Sequence, residues 1–179
     1  MTLVTKTRRK CFISYHHDDE DEVAQFIQTF DHNQDVLVAR GIGANMSGDI
    51  INSTNPDYIM QKIRERYLRD TSVTIVMIGK ETWGRKYVDW EIAASLRNTK
   101  MASASGLLAI TLPSVTNYSD KRLPDRLNDN WDREDGYARW WKYPSSANAL
   151  ANFIEIAYSD RTQKAHLRDN KRELRQRNA

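Results

Sequence analysis

Short apolar runs alternate with amphipathic stretches along most of this chain. The apolar runs predict five strands, at residues 11–15, 35–39, 72–78, 107–112 and 139–143. Between them, apolar residues recur at the spacing of one helix face, as Val23, Phe26, Ile27 and Phe30 do. Strands that alternate with helices in this way predict an α/β fold, a doubly wound parallel sheet of about five strands with helices on both faces.

Two segments that leave the strands of this predicted sheet are candidates for a ligand site. If the strand order is 2-1-3-4-5, the chain switches direction between the first and third strands, and ligands bind in the crevice at such a point. Residues 14–17 leave the first strand, and residues 79–91 leave the third. Glu91 would lie one turn into the helix that follows the third strand. Its carboxylate, with Trp83 and Tyr87 nearby, is placed to face a bound ligand.

Two long polar stretches interrupt the alternation. Residues 40–55 are rich in Gly, Ser, Asn and Asp, with glycines at positions 41, 43 and 48. Long loops in compact domains tend to be functional, so this connection is a candidate binding element. Residues 114–136 are also polar and are predicted to be mostly loop.

The length and the distribution of charge favour one domain with short extensions. A chain of 179 residues fits one domain, for which we expect an extension at 1–9, a core at 10–158 and a tail at 159–179. Residues 160–179 carry seven basic and three acidic side chains, a net charge of +4, so the rest is near −1 in a chain of net charge +3. We predict a helical or disordered basic tail, and the absence of interleaved aromatic residues argues against nucleic-acid binding.

Cysteine content and hydropathy suggest a compartment. Cys11 is the single cysteine and forms no internal disulfide, which favours the reducing cytoplasm. No run approaches the roughly 20 apolar residues that a membrane span needs, and the stretch after the basic start is too short for a secretion signal. We therefore expect a cytoplasmic protein without a membrane partner.

Several common site types do not fit these residues. The loop after the first strand is acidic and would repel the phosphate of a flavin, and the third strand ends in Gly79 and not in the aspartate of a phospho-receiver. Dinucleotide and P-loop glycine motifs are absent. His16 and His17 are adjacent in an extended segment and are expected to point apart, so no metal site is predicted.

Three segments together resemble the bacterial TIR-like domains, and more specifically the Thoeris anti-phage TIR proteins. They are the first strand with its polar exit at residues 11–19, the run at 70–79, and above all the run Tyr87-Val88-Asp89-Trp90-Glu91-Ile92. Residues 123–131 and 136–138 are also similar to that subgroup. The resemblance covers about residues 10–158.

The resemblance implies a flavodoxin-like TIR fold and an enzyme that cleaves the bond between nicotinamide and ribose in NAD+. NAD+ is then a substrate, and no cofactor is expected. Glu91 matches the catalytic glutamate of the family, although an aromatic that is usually Trp is Tyr87 here. The 40–55 loop corresponds to the loop that gates substrate and self-association. The remaining expected substrate-binding residues are Ser14, Tyr15, His16, Arg40, Asp49 and Trp83.

The same resemblance implies a set of partners and leaves an alternative open. The product would be an ADP-ribose-derived signal, cyclic or conjugated, that a downstream nucleotide-sensing effector detects in anti-phage defence. Self-association into a dimer or larger assembly and a phage-derived trigger are expected. The alternative is a non-catalytic TIR scaffold that binds partners through the 40–55 loop. In that case Glu91 is an ordinary acidic residue that stabilises a helix dipole.

Overall fold

Five parallel strands form the central sheet of the computed structural model, which describes residues 7–40, 46–100, 103–119 and 121–179. The strands are Arg9–Ser14 (β1), Leu37–Arg40 (β2), Val73–Ile78 (β3), Gly106–Thr111 (β4) and Ala138–Trp141 (β5). Their order is β2-β1-β3-β4-β5, and every neighbouring pair is parallel. The predicted doubly wound α/β architecture is confirmed, and the strand order is the one assumed in locating the crevice.

The helices lie on both faces of the sheet. They are Glu20–Ile27 (α1), Gly48–Ile51 (α2), Pro56–Arg66 (α3), Lys86–Leu96 (α4), Asp125–Asn128 (α5) and Ala147–Gln163 (α6). The two four-residue helices, α2 and α5, interrupt stretches that the sequence predicted as loop. Each is a single turn in a polar segment, too short to show a helical period. Residues 41–45 of the 40–55 loop lie outside the described residues.

Alternating side chains of each strand pack against different helices, as the pleat requires. In β3, Ile75 and Met77 share a core cluster with apolar residues of α1 and α6, whereas Val76 and Ile78 face α4. In β1, Phe12 packs in a cluster with residues of α3 and α4. The central strands β3 and β4 are buried on both faces, with α1 and α6 in one outer layer and α3 and α4 in the other.

The basic tail differs from its prediction. Its first residues are helical, because α6 continues to Gln163 across the expected boundary at 158. Beyond a 3-10 turn at Ala165–Leu167, residues 168–179 are neither helical nor disordered. They pack against α4 and α5 in an irregular conformation and are called the strap below. Leu174 of the strap is buried in the same cluster as Phe12.

A buried ion pair anchors the strap. Arg126 of α5 is 1% exposed, and its Nε donates to Oδ1 of Asp89 in α4 at 2.9 Å. The other guanidinium N–H groups donate to Asp89 Oδ2, to Asn170 Oδ1, and to the carbonyls of Arg172 and Glu173. All five donors of the guanidinium are therefore satisfied, and three of the hydrogen bonds reach the strap. The strap is thus tied to the domain through two backbone carbonyls and the Asn170 side chain.

None of the helices in the part of the chain that the structure describes has the length and apolar character required to cross a bilayer. The expected N-terminal extension lies only partly within the described residues, since residues 1–6 fall outside them. Arg9 already belongs to β1 and pairs with Glu155 of α6 at 2.9 Å.

We expect Arg126→Met to destabilise the protein by about 3–5 kcal/mol, because it leaves the Asp89 carboxylate buried without its cationic partner. Chemical denaturation monitored by circular dichroism measures this change. Arg122→Met is the matched control. Arg122 is exposed and stacks on Trp83 at 3.7 Å, so its loss should cost about 1 kcal/mol or less. Equal effects of the two substitutions would show that the buried pair does not hold the strap.

Candidate active site

A cleft of about 640 Å³ opens at the carboxyl ends of β1 and β3. This volume is within the range of small-molecule sites. The helix after β1 packs on one face of the sheet and the helix after β3 on the other, so the two chain segments diverge and leave the cleft between them. Its lining residues are Tyr15, His16, His17, Glu20, Met46, Ile51, Arg85, Tyr87, Val88, Glu91 and Asn178.

Glu91 lies at the junction of β1 and α4. Ser14 is the last residue of β1, on the same face of the sheet as Phe12, and therefore points towards α4. Its Oγ donates a hydrogen bond of 3.2 Å to Oε1 of Glu91. Tyr87 precedes Glu91 by four residues, one helical turn, and so lies on the same face of α4. The structure thus places Ser14, Glu91 and Tyr87 close together, and their contact with a substrate stays a prediction.

The Glu91 carboxylate is desolvated and has one hydrogen-bond donor, Ser14, among the described residues. Burial raises the pKa of Glu91 from its ordinary value of 4.5 to about 8, and the hydrogen bond from Ser14 opposes that rise. The residue is half-buried and keeps partial exposure through the cleft. No salt bridge reaches it within the described residues. A cationic ligand in the cleft would therefore supply the counter-charge that the protein lacks.

Tyr15 and His16 form the wall of the cleft that β1 contributes. Burial raises the pKa of Tyr15, and the nearby carboxylates of Glu20 and Glu91 add to the rise. Burial lowers the pKa of His16, while Asp18 raises it. A phenol and an imidazole thus line the same cleft as the carboxylate. Both are hydrogen-bonding groups suited to the hydroxyls of a sugar.

Three predicted substrate-binding residues do not line the cleft. Arg40 is exposed at the end of the edge strand β2. Asp49 of α2 pairs with Arg66 at 2.8 Å, which holds it against α3. Trp83 stacks under Arg122 and borders a smaller cavity of about 210 Å³ beside the strap. Their contact with a ligand at Glu91 is not supported by this arrangement.

Arg85 and Asn178 line the cleft but were not identified from the sequence. Arg85 adjoins the aromatic run before α4 and showed no pattern of its own. Asn178 lies in the basic tail, 87 positions after Glu91, and only the path of the strap brings it to the site. No local signal in the sequence marks such a long-range approach.

His16, His17 and Asp18 meet, contrary to the expectation that adjacent histidines point apart. The chain turns into a 3-10 helix at His17–Asp19, so Nε2 of His16 lies 3.2 Å and Nε2 of His17 lies 3.0 Å from the Asp18 carboxylate. One possible ligand atom from each residue lies within 4.8 Å of the others. These three residues are the group that could hold a metal ion among those the structure describes. Two of them are exposed, and the absence of a metal stays a prediction.

A comparison with known protein families matches a region of the chain that contains Glu91. The family model of the Thoeris protein ThsB, TIR-like domain, matches residues 12–117. The chain belongs to the Thoeris ThsB TIR-like family. This membership confirms the resemblance noted in the sequence and supports a role in Thoeris anti-phage defence. None of the curated proteins matches the chain.

The ThsB TIR-like match includes most of the cleft and excludes the strap. It begins within β1 and ends after β4, so it contains Ser14, Tyr87 and Glu91. β5, α6 and the strap lie beyond it. The part of the site that Asn178 contributes is thus a feature of this chain outside the matched region.

We expect Glu91→Gln to raise the thermal midpoint at about pH 8.5 and to have a smaller effect at about pH 5. The folded state keeps a proton on Glu91 up to a pKa of about 8, whereas the unfolded chain loses it near 4.5. Wild-type stability therefore falls as the pH rises between these values, and the neutral amide removes that loss. Scanning calorimetry at both pH values measures the difference. An equal shift at both would indicate a well-hydrated carboxylate.

Proposed function

We propose that this ThsB TIR-like protein cleaves the nicotinamide–ribose bond of NAD+, with Glu91 as the catalytic residue, and so produces an ADP-ribose-derived signal in anti-phage defence. The observation that carries the proposal is a single desolvated carboxylate, without a cationic partner among the described residues, in a cleft of suitable volume. Family membership supports the defence role.

Cleavage of the nicotinamide–ribose bond requires a negative charge near the ribose. Nicotinamide leaves with the electron pair of the C–N bond and becomes neutral, so no acid is needed to protonate it. Positive charge grows on the ribose, and a carboxylate held in a poorly hydrated site stabilises it more strongly than water would. One carboxylate is sufficient, whereas a glycosidase uses two. A nucleophile then forms a bond to the ribose cation. When that nucleophile is water, a proton is released.

The raised pKa of Glu91 is compatible with this role. In the empty cleft near neutral pH, Glu91 is largely protonated. The pyridinium ring of NAD+ is cationic, and a nearby opposite charge favours the ionised carboxylate. Substrate binding therefore promotes the reactive form. We propose that Tyr15 and His16 bind ribose hydroxyls and that Tyr87 packs against the nicotinamide.

We expect Glu91→Gln to reduce nicotinamide release from NAD+ by roughly 100-fold or more, because the amide carries no charge to stabilise the sugar cation. Mass spectrometry of extracts from phage-infected cells measures nicotinamide and the ADP-ribose-derived product together. Glu65→Gln is the matched control, since Glu65 lies on α3 and pairs with Lys62 away from the cleft. Full defence by Glu91→Gln would favour the scaffold alternative that acts through the 40–55 loop.

We expect Ser14→Ala to move the rising limb of the kcat/KM profile to higher pH. Its hydroxyl lowers the pKa of Glu91, so its removal leaves the carboxylate protonated over a wider pH range. Wild-type kcat/KM should rise with pH through about 8, since this ratio reports the free enzyme. At pH 7 the variant should fall about tenfold below wild type.

Ser95→Ala is the control for this measurement. The Ser95 hydroxyl is buried and bonds the Glu91 backbone carbonyl at 2.8 Å, so it touches the same residue without reaching the carboxylate. The kcat/KM profile of Ser95→Ala should therefore have the same midpoint pH as that of wild type. A common midpoint for wild type and Ser14→Ala would contradict the role assigned to Ser14.

A further inference from the structure

The strap contributes one residue, Asn178, to the lining of the Glu91 cleft. Its backbone follows the start of α4, where the Arg175 N–H donates to Asp89 Oδ2 at 2.8 Å and the Arg175 carbonyl accepts from Trp90 Nε1 at 2.9 Å. Further along, the Ala179 N–H donates to the Gly84 carbonyl at 3.0 Å. These bonds fix both sides of Asn178 against the segment that enters α4.

Asn178 makes one hydrogen bond that leaves its donor group available. Its Oδ1 accepts from the Lys86 N–H at 2.8 Å and so caps the first residue of α4. The residue at the N-cap position, Arg85, makes no such side-chain bond. The Nδ2 group of Asn178 has no hydrogen-bond partner among the residues that the structure describes, and the side chain lines the cleft. A carboxamide held by its oxygen thus offers two N–H donors at the rim.

Arg85 supplies positive charge beside this amide. Its Nη2 donates to the Ala179 carbonyl at 2.9 Å and its Nε to the Glu81 carbonyl at 3.2 Å. Among the described residues, no side-chain carboxylate forms an ion pair with the Arg85 guanidinium. The strap therefore positions a cation and a free amide donor on one side of a cleft that holds the Glu91 carboxylate.

We infer that Asn178 is a substrate-positioning residue that binds, together with Arg85, the diphosphate of the dinucleotide. NAD+ carries a cationic ring and an anionic diphosphate, which match the Glu91 and Arg85 charges of the cleft respectively. Arginine and amide N–H groups are common donors to phosphate oxygens. The inference rests on the proposed function for the identity of the substrate, but binding at this position does not require cleavage.

The test uses ADP-ribose, which contains the diphosphate and lacks nicotinamide, as a calorimetric probe of the full chain. Asn178→Asp keeps the oxygen that caps α4, so the thermal midpoint should match wild type. It removes the donor and adds a negative charge, so Kd for ADP-ribose should rise roughly tenfold or more. Arg177→Ala is the control, because it removes a charge from the same segment while its side chain lies outside the cleft lining.

The outcomes separate this inference from the proposed reaction. Weaker binding of ADP-ribose by Asn178→Asp, together with wild-type binding by Arg177→Ala, supports the inference. This holds even if the wild-type protein releases no nicotinamide, because that result would overturn only the proposed cleavage. Equal Kd values for Asn178→Asp and wild type would overturn it. Equal losses in the two variants would also do so, since they would reflect only the net charge of the strap. Failure of wild type to bind ADP-ribose would remove the diphosphate site altogether.

Discussion

The divergence of the chain after β1 and β3 is the constraint on which the site depends. The two strands are neighbours, yet α1 packs on one face of the sheet and α4 on the other. The backbone therefore leaves no element directly above this part of the sheet edge. Ser14 and Glu91 occupy the opening because each lies at the start of one diverging segment. Any ligand that enters contacts both strands' exits at once.

The carboxylate of Glu91 is held at an energetic cost that a ligand can offset. Burial without a cationic partner disfavours its ionised form, and a single hydroxyl from Ser14 only partly compensates. A structural acid at the start of a helix would gain more from solvent exposure or from an ion pair. Asp89, two residues earlier, shows that alternative, since it is fully paired with Arg126. The two acids on one helix thus differ in environment, since Asp89 is ion-paired and Glu91 has no cationic partner among the described residues.

The strap links stability to the geometry of the site. Arg126 and Asp89 fix its middle against α4 and α5, and the hydrogen bonds around Asn178 fix its last residues at the entrance to α4. Loss of the Arg126–Asp89 ion pair would therefore change the position of Asn178 at the cleft rim. The family match ends before this segment, so the contribution of Asn178 to the cleft lies outside the matched region.

The sequence by itself determined the layers of the fold and the position of its principal acid. Apolar runs and helical periods report which faces are buried, and these local patterns were sufficient to predict the five strands and the helices between them. The approach of Glu91 to the exit of β1 followed only once the strand order 2-1-3-4-5 was assumed. The tertiary structure alone decided that Trp83 stacks under Arg122 away from the cleft and that Asn178 reaches it. Such contacts join polar groups distant in the chain, and a polar group that finds its partner through folding leaves no periodic trace in the sequence.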